Sequence, residues 1–134
     1  MPQLGAIDHF VLTVADTEAT ARFYQALGMR LERFEVPGEP DRLALHFGPH
    51  KINLHRAGHP FHPHARVPEP GTGDFCLLTE DSIADWVVQL EKAGIAIIEG
   101  PVGRTGAQGA LESLYLRDPD GNLVEIARYA ERRS

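Results

Sequence analysis

The chain has 134 residues, a length that buries one real core but not two independent ones. Its 43% hydrophobic and 24% charged residues describe an ordinary folded protein, and a net charge of -6 with no basic stripe argues against nucleic acid as a partner. No apolar run approaches the roughly 18 residues of a membrane span, and MPQLGAIDHF lacks the basic start and long apolar stretch of a secretory signal. The expectation is a cytoplasmic protein with no membrane partner.

Residues 6–14, AIDHFVLTV, are rich in apolar and β-branched side chains and read as a strand. Asp16 then caps a helix that buries Ala19, Phe23, Ala26 and Leu27 and stops at Gly28. Strands are expected over 29–37, 41–48 and 50–56, with turns at Pro37-Gly38 and Gly48-Pro49. Residues 57–72 hold His59, His62 and His64 among prolines and glycines, including Pro60 and Pro63, and read as a solvated connection. The order then repeats: a strand over 73–80, a helix capped by Asp81 or Ser82 that carries Ile83, Trp86, Val87 and Leu90, and a stop at Gly94. IAIIEG reads as a short strand and 101–109 as a loop, before LESLYLR and NLVEIARY joined by the turn DPDG. Cys76, alone in an apolar strand pattern, cannot form an intrachain disulfide and is expected as a buried thiol.

The repeat is carried by spacing. Asp16 to Gly28 and Ser82 to Gly94 are equal intervals from helix cap to helix stop, and each half is strand, helix, then three strands. The fold class is therefore α+β, with unit one at about 6–56, a linker over 57–72 and unit two at about 73–129, within one domain of 1–134.

Potential ligands fall at matched places in the two halves. His9 precedes Asp16 by the interval that separates Asp74 from Asp81, so the first strands carry an imidazole and a carboxylate in equivalent positions. In the last strands, Glu125 interrupts the apolar run of Leu123, Val124 and Ile126, and KINLH offers Asn53 and His55. Aligning Pro49 with Pro119 matches His55 to Glu125, whereas aligning the apolar neighbours matches Asn53. The two candidates lie on one strand face, so either can serve. A carboxylate in an apolar setting needs an ion or a basic partner to offset its desolvation. An imidazole with two carboxylates suits a divalent first-row metal acting as a Lewis acid.

The segments DHFVLTVADTEATARFYQALGM, GDFCLLTEDSIADWVVQLEKAGI and LYLRDPDGNLVEI resemble the repeated βαβββ units of the vicinal oxygen chelate superfamily of glyoxalases, bleomycin-resistance proteins and extradiol dioxygenases. The resemblance covers about residues 6–129 and is strongest to small glyoxalase-domain-containing proteins with an INLH segment and a PVxRTGAxG loop. It implies two tandem units forming a curved mixed sheet around a cleft. It also implies a divalent metal, Zn, Ni, Mn or Fe, held by His9, Asp74, Glu125 and His55, with Asn53 as the alternative fourth ligand. Asp74 stands where His is usual, and Asn53 where typical glyoxalase I enzymes carry Glu.

Arg104, in the glycine-containing loop PVGRTGAQG, is the expected clamp for an anionic group of the substrate. Tyr115 shares the parity of Glu125 and matches the place of a Tyr in the similar fosfomycin-modifying thiol transferases. The resemblance implies a metal-dependent glyoxalase-like lyase or isomerase, acting as a homodimer on a small oxygen-bearing metabolite that is anionic or thiol-conjugated. Glu125 is the expected base, with Tyr115 assisting. The alternatives are a metal-free protein that sequesters a drug or metabolite, a thiol transferase, and a dioxygenase whose usual two-His, one-carboxylate site this chain lacks.

Overall fold

The computed structural model describes residues 1–59 and 61–130, so Pro60 of the expected connection and the last residues, 131–134, lie outside it. Contacts gather the chain into two units, Met1–Gly71 and Thr72–Ser134. The first runs β1 (His9–Val14), α1 (Thr17–Ala26), β2 (Arg30–Phe34), β3 (Arg42–Phe47) and β4 (His50–Arg56). The second repeats it as β5 (Asp74–Leu78), α2 (Ile83–Lys92), β6 (Glu99–Gly106), β7 (Gly109–Arg117) and β8 (Leu123–Tyr129). Each unit has one mixed four-stranded sheet, ordered β1-β4-β3-β2 and β5-β8-β7-β6, in which only the first and last strands of the unit are parallel. The fold is the expected α+β tandem of βαβββ units.

The helix ends are chemically alike in the two units. Asp16 Oδ1 accepts the Ala19 N–H at 3.0 Å and Ser82 Oγ accepts that of Asp85 at 3.1 Å, which satisfies a donor that the first helical turn leaves open. Gly28 and Gly94 take positive φ of 95° and 71°, and the amides beyond them fold back: Met29 N–H to Tyr24 O, Ile95 N–H to Leu90 O. Ile95 is thus used in closing α2. The strand expected from 95 begins only at Glu99, after Ile98 N–H has bonded Tyr115 O at 2.8 Å.

In unit 1, Leu12, Val14, Leu43, Leu45, Ile52 and Leu54 alternate onto the α1 side of the sheet and are buried. Each such aliphatic side chain contributes about 1.5–3 kcal/mol. The buried face of α1 is Thr20, Ala21, Tyr24 and Leu27, rotated from the expected Ala19, Phe23 and Ala26. Tyr24 takes the central place and Phe23 packs edge-on against its ring at 5.0 Å, which leaves Phe23 half-buried. In unit 2, Ile83 and Leu90 cover Leu114, Leu116, Val124 and Ile126. Trp86 is only half-buried because its indole N–H reaches Thr79 Oγ1 at 2.8 Å. Among the described residues no helix is long and apolar enough to cross a membrane.

The largest departure from expectation is 101–109, read as a loop. Most of it is strand β6, paired antiparallel to β7 from Val102↔Ser113 to Gly106↔Gly109, with a register shift between Glu99 and Val102. Glycine, proline and few apolar residues conceal a strand whose order comes from its neighbour. Gly100 makes the shift possible. Its φ is 114°, and a Cβ there would lie 2.5 Å from Ser113 O and 3.1 Å from Leu114 Cα, both backbone atoms that cannot move aside alone. Gly100→Ala is expected to cost about 2–4 kcal/mol, combining backbone strain and overpacking, and to appear as a lower urea midpoint at unchanged m. An unchanged midpoint would show that β6 tolerates the side chain.

Candidate functional site

In each unit the sheet face turned away from the helix carries the chemistry. In unit 1 the register His9↔Lys51, Val11↔Asn53 and Thr13↔His55 puts His9, Asn53 and His55 on that face, since Leu12, Val14, Ile52 and Leu54 occupy the other. His9 is exposed, and its Nδ1 lies 2.8 Å from Asp8 Oδ2. The His9 hydrogen bond holds the Asp8 carboxyl below its usual range, so Nδ1–H donates to a carboxylate and Nε2 is the ring nitrogen left for another partner.

His55 meets different neighbours. Its ring stands edge-on to Phe61 at 5.0 Å, and the Arg42 guanidinium lies 3.5 Å above the centre of the same Phe61 ring. Burial, and then the charge of Arg42, lower the His55 pKa and favour the neutral imidazole. This stack had no signal in the sequence, because Phe61 returns to the sheet from the connecting segment. His59, His62 and His64 are exposed, as a solvated connection requires, with the last two rings 4.8 Å apart.

In unit 2 the register Asp74↔Leu123, Cys76↔Glu125 and Tyr115↔Glu125 puts Asp74, Cys76, Glu125 and Tyr115 on the face away from α2. Glu125 is half-buried, and Ser113 Oγ, on a fully buried side chain two positions before Tyr115, donates to its Oε2 at 2.6 Å. Ser113 is the residue that sequence reasoning missed. Its parity with Tyr115 and Glu125 was the available signal. Arg104 also lies on this face, with Nε donating to Tyr115 Oη at 3.0 Å, Nη1 to Gly103 O at 2.9 Å and Nη2 to Glu99 at 3.1 Å. It is therefore held on a strand, not on the loop expected, and its partners are already in place.

Cys76 corrects a further expectation. The helix side of β5 is taken by Phe75 and Leu77, so Cys76 emerges on the Glu125 face as an exposed residue and not as a core thiol. Solvent reaches the residue, but its sulfur end lies against Glu125. Burial of that end, the Glu125 charge and a hydrogen bond to Glu125 push the thiol from the ordinary 9.0 up to about 12. A thiol that keeps its proton is a poor nucleophile. Iodoacetamide at pH 8 is expected to modify Cys76 of the folded, metal-free protein at least about a hundredfold more slowly than that of the unfolded chain. Equal rates would contradict the burial of the sulfur. The folded state binds this proton more tightly, so the associated stability is complete below pH 9.0 and is lost as pH rises toward about 12.

The two registers bear on the open choice of fourth ligand. Asn53 lies opposite the residue two beyond His9, and Glu125 opposite the residue two beyond Asp74. Asn53 and Glu125 are thus equivalent positions of the repeat, and His55 corresponds to Ala127. Among the described residues no three His, Cys, Asp or Glu side chains lie together as a metal cluster. Within each unit the donor types are ones a divalent ion takes: in the first an imidazole whose Nδ1–H is anchored by Asp8, and in the second a carboxylate with one oxygen held by Ser113.

Comparison with known proteins agrees with the fold. Glyoxalase domain-containing protein RDO1 of Mycosarcoma maydis is 47% identical over 128 residues, 96% of this chain and 70% of that protein. Virulence protein STM3117 of Salmonella typhimurium is 50% identical over 127 residues, 94% of this chain and 85% of that protein. An integron cassette protein from the mobile metagenome of V. cholerae superposes with a TM-score of 0.90 at 45% identity, covering 97% of this chain and 99% of that one. Residues 6–126 match the family directly, and the chain belongs to the Glyoxalase/Bleomycin resistance protein/Dioxygenase superfamily.

Proposed function

We propose that the protein is a divalent-metal-dependent lyase or isomerase of glyoxalase type, acting on a small oxygen-bearing metabolite that is anionic or thiol-conjugated. The observation that carries this reading is Glu125, a half-buried carboxylate oriented by the Ser113 hydroxyl and directly across from Tyr115 on one sheet face. His9, Asp74 and Glu125 would hold the ion, with Asn53 as fourth ligand on the strength of its equivalence to Glu125, or His55 beside it. Zn, Ni, Mn and Fe all suit this donor set. When bound, the ion supplies Lewis-acid stabilisation of negative charge developing on substrate oxygens.

The chain's own residues supply the rest. With its oxygen opposite the Ser113 contact free of the ion, Glu125 takes a proton from the carbon beside a carbonyl and returns it to the neighbouring carbon, which for a thiohemiacetal gives a thioester. Tyr115 Oη accepts from Arg104 Nε, so its own proton is free to be donated to a substrate oxygen. Arg104 orients that phenol and, if Glu99 yields, offers a cation to an anionic substrate group. A homodimer belongs to the same proposal. Val11 and Leu78, 44% and 62% exposed, are apolar surface on the two chemistry-bearing faces.

The test is purification with metal analysis, followed by assay of the hemithioacetal of methylglyoxal and of anionic thiol adducts. Turnover abolished by chelation and restored by Mn, Ni or Zn is expected. Failure to take up any first-row divalent ion would overturn the proposal in favour of a metal-free protein that sequesters small molecules.

A further inference from the structure

We infer that Ser113 is a positioning residue for Glu125: its hydroxyl fixes one carboxylate oxygen, so that Glu125 presents only the other to an incoming ion. The inference rests on the proposed metal reading and adds to it a residue outside the ligand set.

Three observations carry it. Ser113 is fully buried on β7, which is paired on both sides, to β6 at Val102 and to β8 at Ala127, so the hydroxyl is carried by backbone that cannot drift. The distance from Ser113 Oγ to Glu125 Oε2 is 2.6 Å, within the range of a charge-assisted hydrogen bond from hydroxyl to carboxylate. Glu125 sits on β8 opposite Tyr115, diagonal to Ser113, so the contact spans two neighbouring strands and reports their register. A carboxylate free to rotate can present both oxygens to a cation or swing away. With Oε2 engaged by Ser113, and only the weakly donating Cys76 thiol otherwise bonded to the carboxylate, the side chain keeps one rotamer, an incoming ion displaces no strong partner, and less ordering entropy is lost on binding. A serine present only to fill space in a buried strand would not need to aim its hydroxyl at the one carboxylate on that face of β8.

The experiment compares wild type, Ser113→Ala, Ser113→Cys and Glu125→Gln by titration with Co2+, reading the dissociation constant and the visible spectrum, with thermal unfolding as a control. Ser113→Ala is expected to weaken Co2+ binding about 10- to 100-fold and to shift the visible bands, because the freed carboxylate changes its mode of coordination. Ser113→Cys, of similar size and with a weaker donor, is expected to fall between Ala and wild type. If Glu125→Gln weakens binding while Ser113→Ala leaves affinity within twofold and the spectrum unchanged, the positioning role is overturned and the metal reading stands. If neither substitution alters affinity, both are overturned.

Discussion

Glu125→Gln is expected to weaken binding of a divalent first-row ion by more than about a hundredfold, beyond the loss for residues that act through a ligand. Gln keeps the shape of Glu and an oxygen that can accept from Ser113, so the contact at 2.6 Å has a neutral counterpart and β8 loses no packing. What disappears is the negative charge and its basicity. In a half-buried place that charge is costly without an ion, so metal-free Glu125→Gln should be as stable as wild type or slightly more so. Turnover should fall about 10²- to 10⁴-fold even at saturating metal, the usual contribution of a positioned base. Calorimetric titration with Mn2+ on both proteins, together with urea unfolding of the metal-free forms, separates these effects. Equal affinities would remove Glu125 from the ligand set.

The second large effect concerns the turn that delivers Glu125. Asn122→Ala is expected to cost about 2–4 kcal/mol, because Asn122 is buried and its side chain closes a network across three segments. Asp118 Oδ1 accepts the Asp120 and Asn122 N–H groups at 3.0 Å each, and Asp118 Oδ2 accepts Asn122 Nδ2 at 2.8 Å. On its other side Asn122 Oδ1 accepts the Gly73 N–H at 2.7 Å. Alanine would strip that bond from a half-buried amide at the start of β5 and a donor from a buried carboxylate. Both losses fall where β5 and β8 come into parallel register. Urea denaturation should show the loss, and hydrogen exchange should show it concentrated at Gly73 and along β8. A cost under about 1 kcal/mol would mean that the turn is held by β7 and β8 alone.

What could be read from the residue order, and what could not, follows from whether the cause was local. The duplication was legible because caps and stops are local chemistry: Asp16 and Ser82 bond amides three residues on, and Gly28 and Gly94 take the left-handed conformation that closes a helix. Strand β6 was not, because Val102 and Thr105 are outnumbered by glycine and proline in PVGRTGAQG, and its order comes from β7 beside it. The buried face of α1 was missed by one position, since Phe23 and Tyr24 adjoin and periodicity alone cannot say which ring points inward. For the site, the face shared by Asp74, Tyr115 and Glu125 was recoverable from parity. Ser113 shares that parity, but its burial and its contact with Glu125 come only from the paired strands, and the Phe61 stack on Arg42 and His55 depends on a chain reversal without a local signature.

The equivalence of Asn53 and Glu125 has one more consequence. The two copies repeat one backbone register with different side chains at the matched places. The first unit carries an amide, Asn53, where the second carries a carboxylate, Glu125. Exchanging residues between these equivalent positions should therefore not be neutral. Asn53→Glu would place a third carboxylate in the proposed ligand set, which a divalent ion can no longer neutralise.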